Sequence, residues 1–178
     1  MIRALLRFAA WIVALALLVL VASKIWLDPT YTVSSEVTIR VPHTKVWAKV
    51  GDLNEWTEWV KGLEQVSIVK GDGRAVGSMA EIRVYNGFRG WDMSIHLVNV
   101  IPELRVGYQV LGGPQNDVLS TINLESSEDG RSVRVAWTES HTLEGLWANL
   151  RAAVIGSIVT TQHDESLNQL KFHLERGL

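Results

Sequence analysis

Residues Met79 to Val100 read MAEIRVYNGFRGWDMSIHLVNV. In the second half of this stretch Trp91, Met93, Ile95 and Leu97 occupy alternate positions, the period at which the side chains of a strand fall on one face. Asn86-Gly87 lies between the two apolar runs, and Asn-Gly is a dipeptide that tight hairpin turns favour because both residues tolerate positive φ. The stretch therefore predicts two antiparallel strands, over 79–85 and 91–100.

Outward from this hairpin the same pattern repeats. Val66 to Val69, Arg105 to Val110, Val118 to Glu125 and Ser132 to Ser140 are short apolar or alternating runs. They are separated by Gly71-Asp72-Gly73, Gly112-Gly113-Pro114 and Glu128-Asp129-Gly130, all turn or loop signals. Six strands in meander order are predicted. A seventh precedes them at Tyr31 to Val41, where Val33, Val37, Ile39 and Val41 largely alternate. Between the first strand and the rest, Pro42 suits a first helical turn, Val46, Trp47 and Val50 share one side of a short helix ending near Gly51, and Asn54 is a candidate cap for a second turn carrying Trp56 and Trp59.

From Leu143 to Glu175 there is no proline, and Leu143, Leu146, Trp147, Leu150, Val154 and Ile158, then Leu167, Leu170 and Leu174, keep helical spacing. This predicts one long helix with a bend near Gly156. Its first half, Gly145 to Gln162, carries Arg151 as its one charge and is expected to be enclosed. A long helix and a seven-stranded antiparallel sheet each need cover, and a strongly twisted sheet wrapped around the helix satisfies both. The fold class is α+β.

At the other end, Phe8 to Leu27 reads FAAWIVALALLVLVASKIWL, interrupted by Ser23 and Lys24. At about 1.5 Å per residue the run reaches roughly 30 Å, the thickness of the hydrocarbon layer. Trp11 and Trp26 lie near its ends, and Arg3 and Arg7 flank its N-terminal side, which places the N-terminus in the cytoplasm and the domain on the exported side of a cell membrane. The expected organisation is a cytoplasmic N-terminus (1–7), a transmembrane helix (8–27), a linker (28–32) and one domain (33–176). A cleaved signal peptide competes, with Val21-Ala22-Ser23 as a loose cleavage site, but the apolar run is longer than a usual signal core and resumes after Ser23.

Composition removes several function classes. The chain has 178 residues and no cysteine, which excludes disulfides, thiolate metal sites, Fe–S clusters and thiol nucleophiles. Arg3, Arg7 and Lys24 belong to the first 27 residues; without them 14 of the 17 basic side chains remain in the domain against 19 acidic ones. That balance argues against a nucleic-acid partner, which needs a concentrated basic face. No HExxH, GxSxG, Walker A or GxGxxG pattern is present, and no cofactor or metal is expected.

Three segments resemble a known family. Ile39-Arg40-Val41-Pro42-His43-Thr44-Lys45-Val46-Trp47 is similar to its strand, proline and valine-tryptophan helix start. Gly51-Asp52-Leu53-Asn54-Glu55-Trp56-Thr57-Glu58-Trp59 resembles its aspartate followed by paired tryptophans, and Ser166-Leu167-Asn168-Gln169-Leu170-Lys171-Phe172-His173-Leu174-Glu175 its leucine-leucine-lysine helix end. The family is the START-like or SRPBCC superfamily of polyketide cyclases/dehydrases and lipid-transport proteins. The resemblance implies a helix-grip fold: about seven curved antiparallel strands around a long C-terminal helix, here preceded by one transmembrane helix. It also implies an elongated apolar cavity between sheet and helix, and makes Trp56 and Trp59 structural rather than parts of a membrane-facing or ligand-gating loop.

Function has to come from the side chains that face such a cavity. Alternation puts Val106, Tyr108 and Val110 on one face, as it does Ser120, Ile122 and Leu124, and Val133, Val135, Trp137 and Glu139. Trp91, Met93, Tyr108, Ser120 and Trp137, with Arg151 and Ile155 on the helix, are the candidate ligand-binding residues. Arg151 must pair or reach solvent, and Glu139 or a ligand headgroup at the cavity mouth is its expected partner. Gly156 could admit close approach of sheet or ligand. Glu139, His141 and Tyr108 are candidate acid/base groups, since a carboxylate beside an imidazole can move protons; His96 and His163 could also reach the domain's middle. Three readings stay open: a membrane-anchored binding module for a lipid, isoprenoid quinone or similar hydrophobic molecule; a cyclase- or dehydratase-like enzyme; and a structural or partner-binding domain with a filled core.

Overall fold

The computed structural model describes residues 2–85, 87–112, 117–145 and 147–176. Asn86, Gly113, Pro114 and Leu146, used in the turn and helix expectations, and the side chains of Arg3 and Trp26 lie outside the described residues. Helix α1 (Ile2–Trp26) leads into β1 (Thr30–Ile39), α2 (His43–Val50) and a 3-10 turn (Leu53–Glu58). Six strands follow: β2 (Leu63–Lys70), β3 (Met79–Tyr85), β4 (Gly90–Ile101), β5 (Arg105–Gly112), β6 (Val118–Ser126) and β7 (Val133–Thr142). Helix α3 (Ala148–Glu175) ends the chain as one continuous helix through Gly156.

The sheet order is β1-β7-β6-β5-β4-β3-β2, every neighbour antiparallel. The meander of β2 to β7 is the one the alternation predicts, and β1 closes against the last strand, Val33 facing Glu139 and Ile39 facing Val133. The inward rows are also as predicted: Leu97 opposite Tyr108, Tyr108 opposite Ser120, Ser120 opposite Glu139. A bulge in β4 between Leu97 and Asn99 shifts the alternation by one residue, so that Val98 and Asn99 both face solvent and the inward set resumes at Val100.

Trp56 and Trp59 are 1% and 0% exposed, so the membrane-facing or gating role is set aside. Their indole N–H groups donate to the carbonyls of Val50 (2.9 Å) and Lys49 (3.2 Å), satisfying buried donors while the rings fill the core. The cap of the 3-10 turn is Asp52 rather than Asn54: its carboxylate accepts the Asn54 backbone N–H. Burial opposes the Asp52 charge, but hydrogen bonds from Asn54 and from the Arg74 guanidinium (2.6 and 2.8 Å) outweigh it and hold the carboxyl below its usual range.

Helix α3 begins at Ala148 rather than Leu143, whose N–H still donates to the Pro29 carbonyl beside the end of the β1–β7 pair. It runs in the direction of β1 and packs mainly on that strand. A Cβ on Gly156 would lie 3.3 Å from Tyr31 Cβ, and at the far end Lys171 Nζ donates to the Thr38 carbonyl. The buried side carries Ala148, Ala152, Val159, His163, Leu167 and Leu170. The expected enclosure of the first half is not found: Trp147, Val154 and Ile158 are 44%, 62% and 61% exposed. The helix leans on Tyr31 and Val33 through Ala148, Ala152 and Val159 on one side, and its other side is exposed at Arg151, Val154 and Ile158.

Candidate functional site

Beneath the middle of α3 the inward rows of β1, β6 and β7 bring polar side chains into an otherwise apolar interior. Glu139 is the centre. Its Oε1 accepts from the Tyr31 hydroxyl at 2.9 Å and its Oε2 from the Ser120 hydroxyl at 3.1 Å. His163 Nε2, from α3, approaches the same Oε2 at 3.4 Å, and the two side chains are 3% (His163) and 12% (Glu139) exposed. The imidazole stacks on Trp137, ring centroids 3.9 Å apart and planes 12° from parallel. Trp137 in turn meets Trp59 edge-on at 5.7 Å, and Tyr108 meets Trp56 at 4.9 Å, so the cluster has aromatic walls.

Burial, then the negative charge of Glu139, pushes the phenols of Tyr31 and Tyr108 well above the usual tyrosine range. Both therefore stay protonated donors at neutral pH. His163 Nδ1 is buried and has no hydrogen-bond partner among the described residues, an orphan that costs stability unless another group meets it. A carboxylate and an imidazole in contact can pass a proton or grip a polar group, and a protonated tyrosine can donate to a developing oxyanion.

Of the residues expected at the site, Tyr108, Ser120, Trp137 and Glu139 come together here. Ile155 packs beside Tyr31 and Val33, while Met93 and Trp91 are half-buried farther along the sheet. His141 is not the partner of Glu139: it sits near Tyr31, centroids 6.0 Å apart, with Nδ1 3.2 Å from the Asp117 carbonyl. Nor is Arg151, which is exposed on the outer side of α3 while Tyr31, Ser120 and His163 occupy the carboxylate. Tyr31 was missed as a site residue. His163, expected to reach the domain's middle, is the imidazole that meets Glu139 there, on the same helical stripe as Val159, Ser166 and Leu170. Among the described residues no three His, Asp or Glu side chains gather as a metal ion would need.

A family described as polyketide cyclase/dehydrase and lipid transport matches residues 30–175. The chain belongs to this family. Membership makes the region a ligand-binding or cyclase-like domain. The same fold is seen in the ZhuI aromatase/cyclase of Streptomyces sp. R1128, at 15% identity and a TM-score of 0.66 over 83% of this chain and 94% of that one. XoxI from Bacillus cereus gives 15% identity and a TM-score of 0.66 over 80% and 94% of the two chains. Ara h 8.0201 gives 14% and 0.64 over 83% and 99%. At these identities the likeness to the three structures is one of fold alone. No curated protein matches the chain in sequence.

Proposed function

We propose that the protein is a membrane-anchored binding domain for a hydrophobic molecule with a polar end, of the lipid or isoprenoid-quinone class. The observation that carries this reading is the buried Tyr31–Glu139–His163 cluster. Unused hydrogen-bonding capacity inside an aromatic wall costs stability in the empty domain and is recovered when a ligand's polar group meets it. Family membership supports the same class of partner.

The anchor is α1, in which Leu5–Ile25 has a mean hydropathy of 2.6 and is exposed except at Leu20 and Ser23 near its C-terminal end. In this reading Arg3 and Arg7 keep the N-terminus in the cytoplasm and the domain is held on the exported side. Tethering raises the domain's effective concentration beside membrane-dissolved ligands. An open groove of about 350 Å³ between the start of β1 and α3 is lined by Leu27, Tyr31, Ala152 and Gly156, next to the end of the anchor.

The test is organic extraction and mass spectrometry of the full chain purified in detergent, beside Glu139→Ala. A stoichiometric apolar compound that the variant retains poorly supports the reading. An empty wild-type domain, as stable as the variant, would replace it with a filled-core interaction domain. The second reading is a cyclase- or dehydratase-like enzyme, favoured by the 3.4 Å approach of His163 to Glu139. Recovery of a supplied polyketide-like compound lighter by one water, with Glu139→Gln inactive, would select it.

A further inference from the structure

The first half of α3 carries an apolar stripe that the domain does not use. Trp147, Arg151, Val154 and Ile158 are all exposed, and their spacing alternates four and three positions, the repeat of one helix face. An exposed row of one indole and two aliphatic side chains needs an occupant.

Its position names one. The link from Trp26 at the end of α1 to Thr30 at the start of β1 reaches at most about 14 Å when fully extended. The headgroup layer is itself about 5 to 8 Å deep on each side of a bilayer. The start of β1 therefore lies at the membrane surface whenever α1 spans. The first three turns of α3 are level with this point: the Asn149 side chain donates to the Leu27 carbonyl, and Ala152 and Gly156 line a groove with Leu27 and Tyr31.

Strand register brings a second element to the same end. Thr30 pairs with Thr142, Leu119 with Ser140, Val110 with Val118, Met93 with Gly112 and Tyr85 with Gly90, so the β3–β4 tip lies at the same edge of the sheet as the tether. That tip holds Phe88, 95% exposed. Glu144 and Asp28 are acidic groups of this end, and Arg151 is the cation inside the apolar stripe.

We propose that the outer face of α3, with the β3–β4 tip, docks on the bilayer surface: Trp147, Val154, Ile158 and Phe88 enter the headgroup layer and Arg151 meets the phosphates of anionic lipids. Indole and aliphatic side chains favour that layer, and a guanidinium grips phosphate in a planar fork. The inference rests on α1 being a span. It gives the domain one orientation, with the α3 start and the groove beside Leu27 facing lipid.

The chain has no cysteine, so Val154→Cys, Ile158→Cys, Leu15→Cys and Val69→Cys each carry a single nitroxide label in the full chain. Val69 is exposed near the opposite end of β2. In nanodiscs of phosphatidylcholine with phosphatidylglycerol, labels at 154, 158 and 15 are expected to favour oxygen over a nickel chelate as collision partner, and the label at 69 the reverse. Labels at 154 and 158 that behave like 69 while 15 is lipid-like overturn the docking and leave the anchor standing. A water-accessible label at 15 removes the anchor and the docking with it. Spin–spin broadening at 154 without lipid contact overturns the proposal in favour of a second copy. Arg151→Gln is expected to shift the lipid-contacting fraction of the 154 label about fivefold toward water in anionic discs only, the ~1 kcal/mol of one basic side chain at such a surface. An unchanged fraction refutes the phosphate contact.

Discussion

If His163 is kept for a ligand rather than for the fold, replacing it by phenylalanine should cost almost nothing in stability. In His163→Phe the buried Nδ1 that lacks a partner disappears, which relieves about 1 to 3 kcal/mol. The contact of Nε2 with Glu139 is lost, and a hydrogen bond to a charged group contributes about 1.5 to 3 kcal/mol at good geometry. At 3.4 Å the contact is long, so its worth lies near or below the bottom of that range. The stacking on Trp137 survives, because a phenyl ring fits the same near-parallel space, and Glu139 keeps the Tyr31 and Ser120 hydroxyls. The loss therefore exceeds the relief by about 0.5 kcal/mol at most, some 1 to 2 °C in the unfolding midpoint of a domain this size, and the upper end of the relief makes the variant the more stable. Near-UV circular dichroism of the detergent-solubilised full chain through a thermal ramp reads this directly. A loss above about 3 kcal/mol, roughly 6 to 12 °C, would make His163 a structural keystone and refute the reasoning.

Two further outcomes test the surroundings of the site. The folded domain holds the Tyr31 and Tyr108 protons that the unfolded chain releases from about pH 10, so stability is full below that pH and falls as pH rises above it. Urea midpoints at about pH 8 and about pH 11 should therefore diverge less in the Tyr31→Phe/Tyr108→Phe double variant than in wild type; an equal divergence assigns the alkaline loss to other groups. At Gly156 a Cβ already meets Tyr31 at 3.3 Å, so Gly156→Leu should overpack the α3–β1 contact and destabilise by about 1 to 3 kcal/mol; an unchanged thermal midpoint would show that α3 is free to shift outward there.

The fold was legible wherever one period ruled a segment. The run Met79 to Tyr85 is β3 to the residue, and the faces of Tyr108, Ser120 and Glu139 follow from alternation alone. The β4 bulge was not, because strict alternation from Leu97 makes Asn99 the next inward residue and Val100 an outward one, and nothing in Val98-Asn99-Val100 marks the extra residue. At the site, Glu139 and Trp137 were legible as neighbours on one strand face. Their partners Tyr31 and His163 come from the first strand and the last helix, and only the docking of α3 on β1 brings them together. The same docking explains the exposed Val154 and Ile158: apolar composition measures avoidance of water, and cannot tell whether protein or something else provides the cover.

The pairing of the first strand with the last also governs how the chain is made. Thr30 and Thr142, joined side chain to side chain at 2.9 Å, are 112 positions apart. At a synthesis rate of about 5 to 20 residues per second, β1 leaves the ribosome roughly 6 to 22 s before its strand partner β7 exists. Throughout that interval its alternating face and open edge are exposed, which is the condition under which nascent strands mispair. Where α1 is the anchor proposed above, the first strand waits at one place on the bilayer, apart from other nascent copies, until β7 arrives to complete the sheet.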